Sequence, residues 1–116
     1  MSELRQYTND EVRDLFLQQV WTYVRFWTTA KLEGDDLGHR DPTQHRVEGM
    51  AFSILAMLDG CSGGLPGFIV APSPHESDEE YHRGEGENWF PCTPKVQTDI
   101  AGNLHEIFGR YEAAKR

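Results

Sequence analysis

Apolar residues recur every three or four positions in the first third of the chain, which is the spacing of one helix face. The recurring positions are Val12, Phe16, Val20, Tyr23, Trp27 and Ala30. Thr8 and Glu11 precede this face in the order of a capping box, in which each side chain binds the other residue's backbone N–H. Gly34 is a typical residue at a helix end. The pattern therefore predicts a first helix over about residues 9–32.

A second periodic segment follows Asp41 and is apolar on nearly all of its sides. Asp41 is a favourable N-cap and Pro42 suits the first helical position. The apolar residues are Val47, Met50, Ala51, Phe52, Ile54, Leu55, Ala56, Met57 and Leu58. A helix that is apolar all round is usually buried on most sides. We therefore expect a second helix, ended by Gly60, at the centre of the core.

The next part of the chain has a pattern typical of short strands. Residues 51–58 permit a strand that pairs with residues 65–70, although the cap and the 3.6-residue period favour a helix there. Residues 67–71 predict a short strand closed by two prolines. Its best partner is residues 88–90, so we expect one short two-stranded β element.

Thr93 and Pro94 predict the start of a last helix near the C-terminal end. Its apolar positions are Ile100, Leu104, Ile107, Phe108 and Tyr111. The predicted fold class is mainly α (α+β). About three helices pack around an apolar central helix, beside the two-stranded element and an acidic loop. We expect a single globular domain over residues 1–116.

The charge balance excludes some classes of partner. The net charge is −8 and the isoelectric point is about 5.0, so the chain should repel nucleic-acid phosphates and anionic membranes. No apolar run is long enough to span a bilayer, and the first residues lack the features of a signal peptide. We expect a cytoplasmic protein in which Cys61 and Cys92 are free thiols.

The acidic segment, defined here as residues 73–88, is the most conspicuous candidate for a binding surface. It contains six acidic residues and one arginine, and thus −5 of the net charge. Aromatic residues, which are enriched at interface centres, lie in it and directly after it. The candidate partner-binding residues are Asp78, Glu79, Glu80, Tyr81, Trp89 and Phe90. The leading hypothesis is a non-enzymatic protein that presents this surface to a basic protein partner, while the alternative is that Trp89 and Phe90 cover the edge of the core.

A second hypothesis is a metal-binding protein or a small metal-dependent enzyme. Imidazole and carboxylate groups together can bind a divalent transition metal, and Asp78 and His82 would share one helix face at a spacing of four. The candidate ligands are His75, Asp78, His82 and His105. Their spacing matches no strong metal signature, and no cofactor is otherwise indicated.

A third hypothesis is a structural homodimer. Trp21, Phe26 and Trp27 lie on more than one face of the first helix, which is broader than one core needs, so a dimer through this helix would bury the excess. Catalytic residues are not identified: Cys61 lies in a glycine-rich turn without an assignable base, and Glu48 is more simply explained by an ion pair. Short stretches such as residues 46–53 and 86–89 resemble small bacterial or phage proteins, a resemblance that implies no activity.

Overall fold

The computed structural model describes residues 4–31 and 41–111. The helices in these ranges are α1 (Asn9–Thr29), α2 (Pro42–Leu58), α3 (Asp78–Gly84) and α4 (Leu104–Ile107). The mainly α class is therefore confirmed. No helix in the two ranges has both the length and the apolarity needed to cross a bilayer. The predicted connection between the first two helices lies outside the described residues.

Both long helices begin at the predicted caps. The Thr8 hydroxyl accepts a hydrogen bond from the Glu11 N–H, while the Glu11 carboxylate accepts one from the Thr8 N–H. The Asp41 carboxylate accepts from the Gln44 N–H at 2.8 Å. Residues 51–58 are helical, so the alternative interpretation as a strand is wrong. The end of α1 lies three residues before the predicted one, because Ala30 already has an extended backbone.

The two long helices pack against each other through small residues of α2. The Trp27 ring lies directly against Gly49, and its Nε1–H donates to the Ser53 hydroxyl at 2.9 Å. The Arg46 guanidinium donates to the carbonyl oxygens of Trp27 and Ala30. These carbonyls lie at the C-terminal end of α1, where orphan acceptors and the helix dipole favour a cation.

The prediction that the second helix is the centre of the core is wrong. Among the described residues, the buried apolar side chains are Leu17, Met57 and Ile107, and only Met57 belongs to α2. One side of α2 packs on α1, whereas the opposite side carries exposed Phe52 and Leu55. The described helices therefore form an open arrangement rather than layers around α2.

The predicted two-stranded β element is also wrong, since the described residues contain helices and irregular segments but no strand. The Phe68 N–H donates to the Leu58 carbonyl, which attaches residues 67–71 to the end of α2. The Phe90 N–H donates to the Asp78 carboxylate instead of a neighbouring strand. Prolines at both segments remove further donors that a ladder would need.

The last helix is much shorter than predicted. It has four residues, Leu104–Ile107. Gly102 has a φ of 134°, and the Asp99 carboxylate accepts from the Ala101 N–H. Both features end regular structure before α4. The C-terminal part instead contacts α1, where the Trp21 ring stacks on Phe108 with centroids 4.5 Å apart.

Candidate functional site

The acidic segment folds back on itself around the short helix α3. Ser77 precedes α3 but makes no side-chain cap, because its hydroxyl is hydrogen-bonded to His75 Nδ1 at 2.8 Å. Acidic residues in the first turn and His82 and Arg83 in the last turn suit the helix dipole. After α3, Gly86 adopts a φ of 70°, which reverses the chain and brings Glu87 beside His82.

His82 lies between two carboxylates. Its Nε2 is 3.3 Å from Asp78 Oδ1, and its Nδ1 is 3.2 Å from Glu87 Oε1. Asp78 also accepts the Phe90 N–H through Oδ2 at 3.3 Å. The structure therefore brings Asp78 and His82 together, as the sequence predicts, but in a contact that joins α3 to the returning chain.

Each of the four predicted metal ligands lies near another polar side chain of the described chain. Both ring nitrogens of His82 face carboxylates, and His75 Nδ1 is hydrogen-bonded to Ser77. His105 lies on α4, with its Nε2 3.9 Å from Glu106. No group of three histidine, cysteine or acidic side chains suitable for a metal occurs within residues 4–31 and 41–111.

The aromatic residues beside the acidic segment are exposed. Tyr81 is 62% exposed, Phe90 65% and Trp89 40%. The Arg83 guanidinium lies 4.1 Å from the centre of the Trp89 ring and also pairs with Glu79 at 2.8 Å. Trp89 is thus held by a cation–π contact with the adjoining acidic segment, and neither Trp89 nor Phe90 is a buried core residue.

Pairing within the segment decides which carboxylates remain available. Asp78 and Glu87 contact His82, and Glu79 contacts Arg83. The side chains of the other three acidic residues of the segment make no hydrogen bond or ion pair to the described part of the chain; they are Glu76, Glu80 and Glu85. Of the predicted acidic contacts, Glu80 therefore keeps an unpaired charge. Glu76 and Glu85 belong to the acidic segment but are not among the predicted contact residues, although neither has a base at a spacing of four.

A groove of about 940 Å³ lies elsewhere on the molecule. It is formed by the chain before α1, residues 66–73 and residues 93–100, and the Asn9 side chain donates to the Gln97 carbonyl across it. None of the predicted site residues lines it.

Comparisons with protein-family models, curated proteins and solved structures give no match to this chain.

Proposed function

We propose that this chain is a non-enzymatic interaction protein that binds a basic protein partner through its acidic segment and the adjoining aromatic residues. The observation that carries the proposal is the arrangement around α3. Internal pairing fixes the backbone of the segment, and three carboxylates and two aromatic rings are left for a partner. A surface ordered before binding loses less conformational entropy when the partner docks.

The unpaired carboxylates give the surface its electrostatic character. Glu76, Glu80 and Glu85 are exposed, and within the described chain they lack a neutralising base. Clustered charge of one sign steers an oppositely charged partner and increases the association rate, an effect that salt weakens. A basic partner, including one whose own ligand is nucleic acid, has the complementary charge.

The exposed rings supply the apolar part of the contact. Tyr81 and Phe90 present large rings to solvent on the acidic segment and directly after it. Aromatic anchors surrounded by polar groups are typical of the energetically dominant centre of an interface. The proposal assigns them that role, with the acidic residues at the rim.

The proposal places the protein in the cytoplasm, where free thiols are stable. Cys61 and Cys92 are both free and exposed.

The metal hypothesis has no supporting ligand group in the described ranges. Of the three aromatic residues that indicate a dimer through α1, Trp21 stacks on Phe108 and Trp27 packs on Gly49 within the chain itself, whereas Phe26 is exposed.

The test compares two double variants with the same change in net charge. Glu80→Gln with Glu85→Gln removes two unpaired charges from the proposed surface, whereas Asp10→Asn with Glu106→Gln removes two charges elsewhere. We expect the wild type and the second variant to capture the same basic proteins from native lysate. The first variant should bind the main captured protein at least about threefold more weakly, a loss typical of two rim charges.

The binding measurement is a titration with the purified partner at about 50 and 300 mM salt, which spans a large change in screening. The difference between the two variants should shrink at the higher salt. Equal affinities for both variants, or captured partners that are not basic, would contradict the proposal.

A further inference from the structure

The imidazole ring of His82 contacts a carboxylate through each of its two nitrogens. Nε2 lies 3.3 Å from Asp78 Oδ1, and Nδ1 lies 3.2 Å from Glu87 Oε1. Asp78 is the first residue of α3, whereas Glu87 follows the turn at Gly86 and lies on the returning chain. We call Asp78, His82 and Glu87 the His82 clamp, because the ring connects the beginning of α3 to the returning chain.

The clamp requires a proton on both nitrogens of the ring. An ionised carboxylate only accepts hydrogen bonds, and a neutral imidazole has one N–H and one nitrogen with a lone pair. In the neutral ring, one of the two carboxylates would therefore face a lone pair at 3.2 or 3.3 Å. The imidazolium ion has an N–H on both nitrogens and a positive charge, so it is the form that suits both contacts.

The other groups around the ring supply no competing charge. In the described chain, the ionisable side chains that contact His82 are those of Asp78, Glu87 and Tyr81, and the Tyr81 ring meets the imidazole edge-on with the centroids 5.1 Å apart. Arg83 is next in sequence, but its guanidinium is paired with another carboxylate at 2.8 Å and lies over an indole ring. The contacts of the clamp therefore depend on one cation and two carboxylates.

The two carboxylates of the clamp differ in how easily they leave the ring. The Asp78 side chain is 20% exposed and also accepts the Phe90 N–H, whereas the Glu87 side chain is 58% exposed. A carboxylate that turns to water exchanges its protein contact for hydrogen bonds to water at little cost. When the ring loses one proton, the remaining N–H therefore stays with Asp78, and the Glu87 carboxylate turns to solvent.

We propose that the His82 clamp is a proton-controlled switch, which holds residues 87–90 against α3 when the ring is protonated and loosens them when it is neutral. Histidine is the side chain that ordinarily changes its charge between about pH 5 and pH 8. The Glu87 N–H donates to the His82 carbonyl at 2.8 Å in a backbone bond that does not depend on the ring. The change is thus a local loosening, which leaves α3 folded and releases the Glu87 carboxylate.

An NMR titration from about pH 5 to pH 8 tests the switch, with a chelator present so that no metal ion competes with the proton. We expect the backbone amide shifts of residues 87–90 to change with the same midpoint as the His82 ring resonances. The protection of these amides from hydrogen exchange, corrected for the intrinsic effect of pH, should fall about two- to fivefold, which is the range expected for one exposed ion pair.

Three variants identify the group that is responsible. His82→Gln removes the charge of the ring, and Glu87→Gln replaces the carboxylate by an amide that either accepts from an N–H or donates to a lone pair. In both variants, the change at residues 88–90 should be largely lost. His105→Gln removes a histidine ring that lies beside Glu106 on α4, and it should leave the change as in the wild type.

Two results would overturn the proposal. One is a set of amide shifts at residues 88–90 that stays constant over this pH range in the wild type. The other is a change in His82→Gln as large as that in the wild type. All of these measurements use the chain alone, so their outcome does not depend on whether a basic partner binds the acidic segment.

Discussion

At the residue scale, the contact between Trp27 and Gly49 decides how closely the two long helices approach. The Trp27 ring occupies the space that a β-carbon on Gly49 would need, and its indole N–H is satisfied by Ser53. The two small residues are four apart, so they form a shallow groove on one side of α2. The sequence contains the groove, but it does not identify which ring fills it.

Gly49→Ala should therefore destabilise the helix pair. The added methyl group would overlap the Trp27 ring, and overpacking of this kind costs about 1–3 kcal/mol beyond the small gain in helix propensity. Urea unfolding followed by circular dichroism measures the change. Gly63→Ala is the matched control, because nothing lies within 4 Å of a β-carbon at Gly63. Equal stability of the two variants would show that α1 and α2 do not pack through this contact.

At the element scale, the start of α1 is stabilised by one carboxylate with two functions. Glu11 accepts two hydrogen bonds from the Arg5 guanidinium, both at 2.7 Å, and one from the Thr8 N–H. The hydrogen bonds from Arg5 make the larger contribution and the bond from the Thr8 N–H a smaller one. Together they lower the pKa of Glu11 from its ordinary 4.5 to about 2. The ionised form of Glu11 is thus favoured in the folded chain.

The lowered pKa gives a pH dependence with a definite sign. A depressed carboxylate pKa stabilises the fold above the unfolded value, and this contribution is lost as the pH falls from about 4.5 towards 2. Glu11→Gln should lower the melting temperature at pH 7, and its difference from the wild type should shrink on acidification. Thermal scans at pH 7, 4 and 2.5 test this, with Glu106→Gln as a control. A difference that is constant over this range would contradict the assignment.

The elements that could be predicted are those specified by neighbouring residues. The cap at Thr8, the cap at Asp41 and the helical period together predict α1 and α2, because each is a local interaction. The β element failed for a non-local reason. The Phe68 N–H donates to the Leu58 carbonyl, and the Phe90 N–H donates to the Asp78 carboxylate. The pattern of apolar residues does not indicate which acceptor a backbone N–H will bind.

The candidate site was predictable to the same extent. The contact of Asp78 with His82 follows from their spacing of four on α3. The approach of Glu87 to His82 depends on the turn at Gly86, and that of Trp89 to Arg83 depends on the returning chain. Which carboxylates stay unpaired is therefore decided by a turn rather than by composition.

At the scale of the whole molecule, the described chain has two parts with separate interactions. The Trp21 indole joins α1 to the C-terminal part through the Phe108 carbonyl, and Tyr23 joins α1 to buried Ser62. In residues 75–90, by contrast, every hydrogen bond, ion pair and ring contact within the described chain has both partners inside that range. The acidic segment is thus held mainly by its own contacts.

This separation predicts that damage to one part leaves the other unchanged. Trp89→Ala removes the ring under Arg83, so amide hydrogen exchange across residues 78–90 should become faster, because local opening depends on local contacts. Exchange in α1 and α2 should remain as in the wild type, since independent sites do not couple. Gly49→Ala should give the reverse pattern. Faster exchange of α1 in Trp89→Ala would show that the acidic segment is part of the helical core. In that case packing on the core, and not the internal pairing around α3, would keep the proposed interaction surface ordered.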